Sequence, residues 1–137
     1  MTHRQAVVQV NVLVDEGIAP LIRALSKFPK LQTRESCQGD DMTPAWVCFY
    51  YGDDEGRDWR PLAEFVLEQL GPWLLDKVGD SAEVSVRRNG VGMPQGELSV
   101  RPGTVAEVTR SILGFAAFTD DGMSVIQIAT DFKSESY

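Results

Sequence analysis

The sequence predicts an α+β domain, and three observations carry that prediction. Apolar residues switch repeatedly between a period of two and a period near 3.6, the spacings of half-buried strands and amphipathic helices. Turn-rich segments of Gly, Pro, Asn and Asp separate these stretches. The balance of 43% hydrophobic and 24% charged residues is that of an ordinary globular chain. At 137 residues one domain over 1–137 is expected. A domain of that size buries roughly two-thirds of its unfolded surface and needs no disulfide or metal to fold.

The elements follow in order. Residues 6–14, AVVQVNVLV, alternate with Val8, Val10, Val12 and Val14 on one face and read as a first strand. Asp15 offers a helix N-cap, and Ile18, Leu21, Ile22, Leu25 and Phe28 follow at helical spacing. Pro20 lies in the first turn, where its missing N–H had no partner, and Pro29 stops the helix. LQTRESC at 31–37 and AWVCFYY at 45–51 are the second and third strands, joined by the turn-rich loop 38–44. Asp58 caps a second helix with Leu62, Phe65, Val66, Leu70, Trp73 and Leu74 as its apolar stripe. Gly71-Pro72 predicts a kink or restart within it. Strands four and five are expected at 82–88 and 97–101. Thr104 and Glu107 fit a capping box for a third helix, and MSVIQIAT near the C-terminus is the last strand.

The order is thus βαββαββαβ, whose first six elements have ferredoxin-like order. A mixed sheet is expected, with three helices mainly on one face and strands one and two parallel through a right-handed crossover. The expected core includes Val10, Val12, Leu21, Leu25, Val66, Leu70, Val86, Ile112 and Ile126.

Charge and cysteine content bound the function. Thirteen basic against twenty acidic side chains give a net charge of −7, with the excess between residues 52 and 80. That argues against a nucleic-acid partner, which demands a basic face to displace counterions. No apolar run approaches the ~20 residues that span a bilayer, and MTHRQ lacks a signal-peptide core, so a cytoplasmic chain without a membrane partner is expected. His3 stands one strand length from Cys37, about 30 Å at ~3.3 Å per residue, too far for a Cys-His dyad. Two cysteines and one distant histidine make no closed zinc site, and no metal is expected. Cys37 and Cys48 fall at matching distances along the hairpin of strands two and three, either as cross-strand neighbours or as two reduced, space-filling thiols. Asp40-Asp41 and Asp53-Asp54-Glu55 flank the third strand, about 20 Å apart at its seven-residue length, so they cannot share one cation. Each group alone is too little preorganised to hold calcium, and turn formation accounts for both.

The edge where strand two ends also gathers two helix starts and Arg101. Ligands of open sheets with such crossovers sit beyond carboxyl strand ends. Ser36, Cys37, Gln38, Gly39 and Arg101 are therefore the candidate ligand-binding residues, with Trp46 contributing if its face of strand three is open. A tight loop whose Ser and Asp satisfy only its own backbone is the competing account.

Asp15, Ile18 and Leu21, then Thr33-Arg34-Glu35-Ser36-Cys37-Gln38-Gly39, then Ala45-Trp46-Val47 form a stretch that resembles the wybutosine tRNA methyltransferases. The resemblance covers about a quarter of the chain. It implies a similar fold, a ligand site at Ser36–Gly39, and methyl transfer with S-adenosylmethionine as cofactor. Three functions therefore stand at this level: a small-ligand-binding domain, a methyltransferase relative, and a protein-protein interaction module using the acidic edge. The chain would act as a monomer or homodimer.

Overall fold

A computed structural model describes residues 5–7, 13–53 and 57–119, with side chains over 16–53 and 57–118. Strands β1 (Gln5–Val7) and β2 (Leu13–Asp15) come first, followed by a 3₁₀ turn at Glu16–Ile18 and helix α1 (Ala19–Leu25). The hairpin β3 (Leu31–Cys37) and β4 (Ala45–Tyr51) comes next. Helix α2 (Trp59–Glu64) runs through a π-helical segment, Phe65–Leu70, into α3 (Gly71–Val78). The hairpin β5 (Ala82–Arg88) and β6 (Pro94–Val100) precedes the long helix α4 (Val105–Thr119). The fold class is α+β, as the alternation of periods predicts.

The sheet differs from the expected one. Four strands pair in the order β3-β4-β6-β5, and every pairing among the described residues is antiparallel. Among the described residues, the expected parallel pairing of the first strand with 31–37 does not appear. Instead β1 and β2 pair with each other, Ala6 opposite Val14, as a separate two-stranded sheet. Period-two alternation marks a chain as extended but leaves its partner open. A nine-residue alternating run can satisfy its backbone by folding on itself, and the crossover rule then has no parallel pair to act on. Val10, Val12, Ile126 and the expected last strand lie outside the described residues.

Helices cover one face of the four-stranded sheet. Ala45, Val47, Phe49 and Tyr51 from β4 and Leu98 and Val100 from β6 are buried there, in one cluster with Leu21, Leu25, Leu62, Val66, Leu70 and Ile112. Val86 is only partly buried, because β5 is an edge strand. Phe65 is the hub. It stacks on Tyr51 with ring centroids 4.2 Å apart and meets Phe28 and Phe49 edge-on at 5.3 and 6.5 Å. Such pairs add to the burial of their area. Trp73 joins α3 to α4, its indole N–H donating to the Ser111 carbonyl at 2.9 Å.

The local signals explain most boundaries. Asp58 caps α2 by accepting from the Arg60 N–H at 3.1 Å. Gly71-Pro72 marks a restart as expected: the Gly71 N–H reaches back to the Val66 carbonyl and closes a π turn before the proline. Two helix starts differ from the expected ones. Ile18, not Asp15, precedes α1, with no side-chain cap. The Thr104 hydroxyl turns away from its own helix and donates to the Arg101 carbonyl at 2.8 Å. Strand β6 starts three residues before the expected Glu97, because Pro94 at its first position lacks only an N–H that the ladder does not need there.

Candidate functional site

One edge of the sheet gathers the end of β3, the start of β4, the end of β6 and the start of β5, since Cys37 pairs with Trp46, and both Ala45 and Ala82 pair with Val100. The loop after β3 lies there beside the start of the first helical turn, where the Gln38 side-chain oxygen accepts from the Gly17 N–H at 2.8 Å. This loop closes on itself. Asp40 Oδ1 accepts from the Met42 N–H, the Thr43 N–H and the Thr43 hydroxyl at 2.8, 2.8 and 2.9 Å. The Asp40 N–H donates back to the Thr43 carbonyl at 3.1 Å. Gly39 holds φ +68°, and a Cβ there would meet the Thr43 carbonyl oxygen at 2.5 Å. The positive φ and the close Thr43 carbonyl account for the glycine by the turn itself.

The other expected site residues do not converge on that loop. Ser36 pairs with the buried Val47, on the helix-covered side. Cys37 pairs with Trp46, on the opposite side. Arg101 turns to Asp80 at 3.3 Å, and its N–H donates to the Ser81 carbonyl at the β5 end of the edge. None of Ser36, Cys37, Gln38, Gly39 or Arg101 lines the cleft described next.

That cleft, of 660 Å³, lies on the sheet face opposite the helices. Alternation places Trp46, Cys48 and Tyr50 of β4 and Gln95 and Glu97 of β6 along it. The end of β5 and its turn add Arg87, Arg88 and Asn89. Strand β3 adds two consecutive residues. Between the pairs Thr33–Phe49 and Ser36–Val47, β3 spends one residue more than β4, so Arg34 and Glu35 together oppose Cys48. This is a β-bulge, a device that re-aims side chains. In a regular strand neighbours point to opposite faces; here both line the cleft.

Several groups are held in place. The Asn89 amide donates to the Tyr50 hydroxyl at 2.9 Å, while Asn89 Oδ1 accepts from the Val91 and Met93 N–H groups. The Arg34 guanidinium lies 5.0 Å over the Tyr50 ring. Arg87 pairs with Glu97 at 2.8 Å. Cys48 is 5% exposed, with its sulfur 3.9 Å from a Glu97 oxygen. Burial first, then the Glu97 and Glu35 carboxylates, push its thiol above the ordinary range. Both effects favour the thiol over the thiolate. Cys37 and Cys48 are both free thiols.

The acidic segment is partly neutralised. Asp53 meets Lys30 at 3.6 Å, and Asp58 pairs with Arg60 at 3.1 Å. The bidentate contact with Arg60 holds the Asp58 carboxyl below its usual range. Among the described residues, no helix is long and apolar enough to cross a membrane.

The sequence reading missed the cleft for a definite reason. Its residues come from four strands, and only the register brings them to one face. Two signals were present: the polar-aromatic alternation of Trp46, Cys48 and Tyr50, and the charged pair Arg34-Glu35 inside an otherwise regular strand. Comparison with known protein families, curated proteins and solved structures returned no match to this chain.

Proposed function

We propose that this chain binds a small molecule in the cleft on the face of its four-stranded sheet opposite the helices. The observation that carries the reading is the convergence of two aromatic side chains, Trp46 and Tyr50, with the charges of Arg34, Glu35, Arg87 and Glu97 around 660 Å³ of open volume. A volume of that order, with aromatic walls and a few oriented polar groups, is what ligand sites use. Tyr50 is locked by Asn89, and Arg87 by Glu97, so little ordering remains to be done on binding. The loop after β3 is the weaker location, because its polar groups already satisfy one another. The methyltransferase reading implied by the family resemblance draws no support from that loop for the same reason.

A thermal-shift screen tests this, read together with quenching of Trp46 fluorescence. S-adenosylmethionine, nucleosides, amino acids and organic acids form the panel. A ligand at 1,000 times its dissociation constant adds about 4 kcal/mol to stability. The expected result is a shift abolished by Trp46→Ala and retained by Asp40→Ala. A shift lost only in Asp40→Ala would return the site to the loop. A panel without any shift would remove the reading.

A further inference from the structure

We infer that the ligand of the cleft is an aromatic zwitterion: a flat ring carrying one carboxylate and one ammonium group, as in an aromatic amino acid. This rests on the reading of the cleft as a ligand site and specifies its chemistry. The argument starts at the bulge. Arg34 and Glu35 both oppose Cys48, so a cation and an anion stand side by side on one face, where regular alternation would have separated them. Neither is consumed by an ion pair among the described residues. Arg34 lies over the Tyr50 ring, which leaves the edge of its guanidinium for a carboxylate. Glu35 can accept from an ammonium.

The other charges in the cleft are already committed. Arg87 and Glu97 neutralise one another at 2.8 Å, and Arg88 donates to the Gly92 carbonyl at 2.9 Å. A singly charged ligand would leave one member of the Arg34–Glu35 pair unmatched as it is covered, which costs free energy. A zwitterion matches both. The ring then has Trp46, half-buried on the neighbouring strand, as its flat partner.

The test compares four probes by calorimetry and thermal shift on the full chain: tryptophan, tryptamine without the carboxylate, indole-3-propionate without the ammonium, and leucine without the ring. Tryptophan is expected to bind at least about tenfold more tightly than any other, the usual consequence of leaving one charged hydrogen-bonding group unmatched. Arg34→Gln should erase the advantage of tryptophan over tryptamine, and Glu35→Gln its advantage over indole-3-propionate. Both side chains are exposed, so both variants should keep the parent melting temperature. Equal binding of tryptophan and either truncated probe, or of leucine, would overturn the zwitterion. If none of the four binds while another compound still gives a Trp46-dependent shift, the zwitterion fails and the cleft reading survives. If no compound gives one, both fail.

Discussion

The two faces of the four-stranded sheet are built from the same strands with opposite chemistry. On β4, Val47 and Phe49 point to the helices and are fully buried, while Trp46 and Tyr50 point away and stay half-open. On β6, Gly96 and Leu98 face the helices, and Gln95 and Glu97 face the cleft. The covered face is packed around Phe65, whose ring meets Phe28, Phe49 and Tyr51. The cleft face carries polar contacts: Asn89 to Tyr50, and Arg87 to Glu97. The difference teaches where each kind of substitution should act. Changes on the covered face should cost stability, and changes on the cleft face should cost binding.

The largest effect is expected at Phe49. Phe49→Ala empties volume beside Phe65 and should cost about 3–5 kcal/mol in denaturant unfolding. A loss no greater than that of Trp46→Ala would break the comparison. Gly96→Ala is the next test. Gly96 pairs with Phe49, and its Cβ would collide with the tip of the Phe49 ring. Overpacking of this kind should cost about 1–3 kcal/mol, with the m-value unchanged.

Asp40→Ala should cost about 1 kcal/mol, because the two N–H groups it accepts from are exposed and water replaces it. Ligand affinity should be unaltered, which sharpens the contrast between loop and cleft. Trp46→Ala should cost less than about 1 kcal/mol of stability while removing ligand binding.

The smallest effect at neutral pH is expected at Tyr51, where the contrast becomes pH-dependent. Burial, with Glu64 and Asp53 nearby, pushes the Tyr51 phenol up to about 12 from an ordinary value near 10. The folded chain therefore disfavours the phenolate. The stability this represents is intact below pH 10 and is lost as pH climbs from about 10 to about 12. Tyr51→Phe should be close to neutral at pH 7 and should flatten that alkaline decline, measured by urea unfolding at each pH.

Legibility in the sequence followed the range of the interaction. β3, β4 and β5 begin and end where their alternation and turn residues put them, because those signals act over a few neighbours. The Asp58 cap and the restart at Gly71-Pro72 were legible for the same reason. The first strand was misread because alternation names no partner. The candidate site moved because Ser36, Cys37, Gln38 and Gly39 look polar and permissive in one dimension, whereas in three dimensions Asp40 closes the loop around its own backbone.

The sequence by itself determined the α+β class, the bounds of β3, β4 and β5 and the buried stripes of the helices, since hydrophobic periodicity and backbone stereochemistry are local properties. Only the tertiary structure decided the strand order β3-β4-β6-β5, the antiparallel sense throughout the described sheet and the cleft. Those depend on register between strands far apart in the chain. One extra residue in β3 then sets which face Arg34 and Glu35 share, a matter of pairing geometry that a one-dimensional pattern does not encode.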